Sequence, residues 1–243
     1  MTQLLVSVRN ASEAVVASQS PAAIVDVKEP GRGALGEPDP LTLQQITEVV
    51  PLEQTLSFAA GELGQWLDAT GNSSDDPIGQ RYRQSLHRFQ YVKIGLAGMV
   101  DRRDWKIQWQ SLLQNLPNEI SPVVVSYLDH RTCSAPSPTT LVAFASRQKR
   151  CCTILFDTFE KRGNLFAHLS PTKLERLVSS SHQAGLQVVV AGSIDLLCLP
   201  QVVAVNPDFV GVRGAACRGD RTGPIDGRLV SELAMTLQAP TPD

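Results

Sequence analysis

The chain has 243 residues, a formal net charge of -2, 42% hydrophobic and 19% charged residues. That balance excludes a disordered polymer and gives enough apolar material for a large core. The near-neutral charge offers no electrostatic case for nucleic acid, and no apolar run approaches the ~20 residues of a membrane span. The length admits one or two domains.

Taken in order, the chain reads as strands alternating with helices. Leu4–Val8 is a short apolar strand, followed by an amphipathic helix over Glu13–Ser18 that Ser12 caps. Ala23–Lys28 is the second strand, and Leu41–Val50 has helical spacing that Pro51 stops. Thr55–Ala60 is a strand, followed by a polar, flexible loop over Gly61–Gln80 and a short helix over Arg81–Arg88. Tyr91–Gly95, Pro122–Leu128 and Thr153–Asp157 are strands. They are followed respectively by helices over Trp105–Leu116, Thr139–Gln148 and Pro171–Ala184, the last opened by Ser170 and closed by Gly185. Gln187–Ala191 precedes a helical return over Ile194–Val205. Phe209–Arg213 precedes a final helix over Asp226–Leu237. About eight such units with no break in composition predict an α/β fold: a single-domain (β/α)8 barrel over residues 1–238, with residues 239–243 a frayed tail. An open doubly wound sheet is the alternative, weakened because no GxGxxG follows the first strand.

The N-terminus lacks the basic leader and long apolar stretch of a signal peptide. The five cysteines form no CxxC pair, which fits reduced thiols in a cytoplasmic protein. The four histidines lack metal-ligand spacing, so no metal site is expected. Cys133 and Cys217 read as packing residues.

Only six of the 22 basic residues are lysines. Lysine can lose its proton near neutral pH and attack a carbonyl, whereas arginine cannot. In a barrel, catalytic groups stand at the C-terminal strand ends. Asp26 and Lys28 end strand two and, two residues apart, share a face. Lys93 lies within strand four, Asp157 ends strand six and Arg213 ends strand eight. Alternate strands feed one interior layer, so these groups are expected to converge. Plainer readings stand beside this one. Lys93 can be a structural ion pair with Asp26 or Asp157, Lys28 a solvated strand-end charge, and Asp157–Lys161 a surface pair. Lys106, Lys149 and Lys173 fall on outer helices.

Gly192 and Ser193 after strand seven, and Arg213 with Gly214 at the end of strand eight, sit where many barrels bind phosphate. The plain alternative is turn glycines. Gly31–Gly36 reads equally as a mobile lid or an ordinary loop, and Asp220 and Arg221 border the site.

Several motifs, in this order and spacing, carry a family resemblance over nearly the whole chain. They are Leu-Leu-Val-Ser-Val at 4–8, Ile-Val-Asp-Val-Lys-Glu-Pro at 24–30, Gly-Ala-Leu-Gly at 33–36 and Tyr-Val-Lys-Ile-Gly-Leu at 91–96. Asp157-Thr158 with Lys161, Ala-Gly-Ser-Ile at 191–194 and Val-Gly-Val-Arg-Gly-Ala-Ala-Cys at 210–217 complete the set. The chain resembles the (5-formylfuran-3-yl)methyl phosphate synthase family, which serves methanofuran and methylofuran biosynthesis. The segment between Ala60 and Tyr91 departs from that pattern.

The resemblance implies a barrel that condenses two molecules of glyceraldehyde 3-phosphate with loss of phosphate and water. Lys28 would form a Schiff base and Lys93 would accept a proton, kept partly neutral by nearby positive charge. Asp26, Asp157 and Lys161 would complete the polar site. Gly192, Ser193, Arg213 and Gly214 would anchor one phosphate, and Arg32 or Lys161 a second. No cofactor is required, the partner is a triose phosphate, and assembly with further copies of the chain stays open. The competing readings are another Schiff-base aldolase acting on a sugar phosphate and a non-catalytic phosphometabolite-binding barrel.

Overall fold

A computed structural model describes residues 1–67 and 76–238. Eight parallel strands close into one barrel in sequential order. They are β1 (Gln3–Val8), β2 (Ile24–Val27), β3 (Thr55–Glu62), β4 (Tyr91–Gly95), β5 (Ser121–Tyr127), β6 (Thr153–Asp157), β7 (Gln187–Val190) and β8 (Phe209–Val212). The helices are α1 (Ala11–Ser18), α2 (Pro40–Val49), α3 (Pro77–Tyr82), α4 (Trp105–Leu113), α5 (Pro138–Ala145), α6 (Pro171–Gln183), α7 (Leu199–Ala204) and α8 (Gly227–Gln238). Among the described residues, no helix is long and apolar enough to cross a membrane.

The period-two alternation of each strand divides the apolar residues into two cores. Leu4, Val6, Val25, Val27, Val92, Ile94, Val188, Val190, Val210 and Val212 face outward and pack under the helices. Leu5, Ile24, Val123, Val125, Leu155 and Val189 face the barrel interior. Strand pairing fixes the height of each inward residue. On the even strands it yields three tiers, in the manner of layered barrel interiors. The lowest is Ile24, Tyr91, Thr153 and Phe209. The middle is Asp26, Lys93, Leu155 and Gly211. The upper is Lys28, Gly95, Asp157 and Arg213.

Where helices begin differs from the sequence reading, and the cause is capping. α1 starts at Ala11 because the Asn10 carboxamide oxygen accepts from the Glu13 N–H at 2.9 Å, the work expected of Ser12. The helix expected over Arg81–Arg88 is displaced to Pro77–Tyr82. Asp76 caps it by accepting from the Gly79 N–H at 3.1 Å, and Pro77 takes the first turn, where its missing N–H costs nothing. Leu86–Arg88 forms only a separate 3-10 turn. The return expected over Ile194–Val205 shortens to Leu199–Ala204, since Pro200 is tolerated only in a first turn. Ser170 caps α6 as expected. The polar centre of the Gly61–Gln80 loop and the expected tail at 239–243 lie outside the described residues.

The Gly31–Gly36 segment is tied down. The Glu29 N–H donates to the Gly36 carbonyl at 2.8 Å, and Ala34 and Leu35 are buried with the interior residues. It is a packed loop over the barrel mouth.

Candidate active site

The barrel encloses a cavity of about 240 Å³, running from Tyr91 and Phe209 up to Lys28, Lys161, Ser193 and Arg221 at the strand C-termini. Small inward residues make the room. Ser7, Ser57 and Gly211 leave space where branched side chains would otherwise fill the centre.

Asp26 and Lys93 occupy the middle tier on alternate strands and form a buried ion pair. The Asp26 carboxylate also accepts from the Ser57 hydroxyl at 2.6 Å and the Ser7 hydroxyl at 2.9 Å. Burial opposes ionisation of Asp26, but the Lys93 and Lys28 charges and these donors outweigh it and hold its pKa below the usual value. Its plain reading as a structural pair is therefore realised in the geometry.

Lys28 stands one tier higher. It is 8% exposed, and among the described residues no hydrogen bond or ion pair holds its amine. Burial lowers its pKa to about 7. The Asp157 charge opposes that effect, Lys161 and Lys93 add to it, and Asp26 opposes it more weakly. An amine that is half neutral near pH 7 and free of a bonded partner is available as a nucleophile.

Asp157 accepts from Lys161 Nζ at 2.6 Å and from the Thr158 N–H at 2.8 Å. Lys161 also donates to the Thr158 carbonyl at 2.5 Å. Burial raises the Asp157 pKa, but the Lys161 and Lys28 charges reverse this and leave it below the usual range. Asp157 is buried and Lys161 largely shielded within the mouth, so the reading as a solvated surface pair fails. The turn that carries Lys161 is set from β5. The Asp129 carboxylate accepts from the Phe159 and Glu160 N–H groups at 2.7 and 2.8 Å, and Tyr127 stacks edge-on against Phe159. Sequence reasoning passed over Asp129; its one signal was an acidic residue just past a strand end.

Gly192 and Ser193 line the cavity, and among the described residues their N–H groups have no acceptor. Gly192 has a φ of +117°, and a Cβ there would meet the Thr158 and Leu165 side chains at 3.0 and 3.1 Å. Only glycine fits that turn. Gly214 also lines the cavity, at the start of a 3-10 turn.

Arg213 reaches the cavity wall, yet all five of its guanidinium N–H groups are spent on the protein. It forms a two-pronged buried pair with Glu13 at 2.5 and 3.1 Å and donates to the carbonyls of Ser7, Arg221 and Gly223. It ties β8 to β1 and α1 and is not a free phosphate anchor. Arg221 also lines the cavity at the mouth: it is partly exposed and, among the described residues, its guanidinium donates one hydrogen bond, from Nη2 to the Gly33 carbonyl at 3.3 Å. Arg32 pairs with Asp39 at 3.0 and 3.1 Å outside the cavity, so of the two residues expected at a second anion subsite only Lys161 lies in it. Among the described residues no three His, Cys, Asp or Glu side chains cluster to hold a metal ion.

The fold and the site together define a (β/α)8-barrel enzyme with a lysine- and aspartate-lined interior. Residues 4–234 match the family model described as 4-HFC-P synthase, and the chain belongs to that family. A (5-formylfuran-3-yl)methyl phosphate synthase of Methanopyrus kandleri is 32% identical over 241 residues, covering 97% of this chain and 98% of that protein. The protein of the same name from Methanosarcina acetivorans is 31% identical, covering 97% and 99%. Solved barrels share the fold at low identity. Phosphoribosyl anthranilate isomerase from Thermus thermophilus has a TM-score of 0.63 at 11% identity, covering 98% of each chain. 3-Hexulose-6-phosphate synthase from Salmonella typhimurium has a TM-score of 0.61 at 15% identity, covering 97% of this chain and 100% of that one.

Proposed function

We propose that this protein condenses two molecules of glyceraldehyde 3-phosphate to (5-formylfuran-3-yl)methyl phosphate, releasing one phosphate and two waters, in supply of a methanofuran-type cofactor. The observation that carries the reading is Lys28: a buried amine with no bonded partner among the described residues, its pKa about 7, inside a ring of Asp157, Lys161, Lys93 and Asp26. Neutral Lys28 attacks a triose carbonyl, and loss of water leaves an iminium that withdraws electrons from the adjacent carbon. A proton then leaves that carbon, and the enamine so formed adds to the second aldehyde.

The Lys93–Asp26 pair lies directly beneath and relays protons. The Lys93 ammonium gives a proton to a developing oxyanion and is then able to accept one. Asp157 and Lys161 do the same at the mouth for the hydroxyls that leave as water. The Gly192, Ser193 and Gly214 amides with Arg221 hold one phosphate, and Lys161 meets the other. Ring closure and elimination give the furan, and hydrolysis of the iminium restores Lys28.

Incubating the protein with glyceraldehyde 3-phosphate tests the reading: a furan absorbance band and free phosphate are expected together. Borohydride is expected to trap an adduct on Lys28, and Lys28→Arg to abolish both adduct and product. Folded protein that yields neither band nor phosphate rules the proposal out.

A further inference from the structure

Asp26 and Lys93 share a tier, but their neighbours differ. The Cα partners of Asp26 on the flanking strands are Ser7 on β1 and Ser57 on β3. Those of Lys93 are Ala59 on β3 and Val123 on β5. Hydroxyls stand on both sides of the carboxylate, and hydrocarbon on both sides of the lysine.

Ser7 and Ser57 are buried and line the cavity. They divide the two carboxylate oxygens between them. Ser57 donates to Oδ1 at 2.6 Å, the oxygen that Lys93 also meets, and Ser7 donates to Oδ2 at 2.9 Å. With a donor on each oxygen, the carboxylate plane cannot turn without losing a hydrogen bond. Lys93 has no such frame. Among the described residues its ion-pair partner is Asp26, and its flexible four-carbon stem leaves the ammonium to follow that carboxylate. Room in the barrel does not by itself require serine at 7 and 57. Alanine leaves as much space and lacks only the donor.

We propose that Ser7 and Ser57 are positioning residues: their hydroxyls clamp the Asp26 carboxylate and, through it, hold the Lys93 ammonium one tier beneath Lys28. The clamp deepens the reaction proposed above and rests on it for its catalytic consequence. Its geometry is tested without that reaction.

The measurement is the rate at which an amine-directed acylating reagent labels Lys93, read by mass spectrometry on the folded full chain with Lys28 as the internal reference. Ser7→Ala and Ser57→Ala keep the room and remove the donors. In the double variant the labelling of Lys93 relative to Lys28 is expected to rise about tenfold, the scale of one lost hydrogen bond to a charged group, and in each single variant by less. Val189→Ala enlarges the cavity from β7 without touching Asp26 and is expected to leave the ratio at its wild-type value. With glyceraldehyde 3-phosphate, the double variant is expected to lower kcat for furan formation about tenfold at unchanged KM, because a proton-carrying group is misplaced while substrate binding is not. An unchanged ratio in the folded serine variants overturns the proposal, as does an equal rise in Val189→Ala, which would make the effect one of space. A raised ratio in a protein whose wild type makes no furan overturns only the proposed reaction and leaves the clamp standing. Furan formation at equal kcat in wild type and double variant overturns the catalytic role of the clamp.

Discussion

Asp26→Asn isolates the buried ion pair beneath the nucleophile. Asp26 is fully buried, and its carboxylate holds Lys93 together with the Ser7 and Ser57 hydroxyls. Asparagine keeps the shape and one acceptor oxygen but leaves the Lys93 ammonium in the barrel interior without a counter-charge. Breaking a buried pair in this way costs about 3–5 kcal/mol, a large share of the 5–15 kcal/mol that holds a typical protein folded. Urea denaturation followed by far-ultraviolet circular dichroism is expected to show the loss as a lower midpoint. The pH dependence fixes the sign. The folded pKa of Asp26 lies below its ordinary 3.8, so the stabilisation is complete above that value and is lost as pH falls through the folded pKa. The gap between wild type and variant is therefore expected to be full at pH 7 and to shrink in acid below about pH 4. Adding Lys93→Met removes the stranded charge and is expected to restore part of the loss. A loss under about 1 kcal/mol at neutral pH, or a gap that widens in acid, would refute the electrostatic account of this pair.

Asp157→Asn removes the largest opposing charge beside Lys28, so the Lys28 pKa of about 7 is expected to fall and the acid limb of borohydride trapping to move to lower pH; a limb that moves up contradicts the assignment. Arg221→Met removes a charged donor at the mouth and is expected to raise the substrate KM about tenfold or more with little change in stability. Arg213→Met strands buried Glu13 and is expected to lower stability by about 3–5 kcal/mol, which thermal unfolding reads directly. Asn10→Ala is expected to cost about 1 kcal/mol through loss of the α1 cap, and Ser12→Ala nearly nothing; equal effects would restore Ser12 as the cap.

The alternation of apolar runs and helical stretches determined the barrel. A period of two along each strand forces one face inward and one under the helices, so Asp26, Lys93 and Asp157 had to point into the centre once the strands closed. The lysines at 28 and 93 were legible for the same reason, as were Gly192 and Ser193, whose residue types suit an anion turn. The helix starts were legible only in part, because caps depend on which of several neighbouring polar side chains reaches the free N–H groups.

Tertiary structure alone decided the rest. Arg213 and Arg221 have the same chemistry, and only the seating of α1 beside β1 and β2 brings Glu13 to the first, while the second keeps a bond to the Gly33 carbonyl at the mouth. Lys93 and Lys28 are equally lysine in the sequence, yet one tier of height places the first against Asp26 and leaves the second without a bonded partner among the described residues. Local pattern fixes which way a residue faces. Which charge neutralises which is a matter of angstroms across the barrel, and that is set only when all eight strands meet.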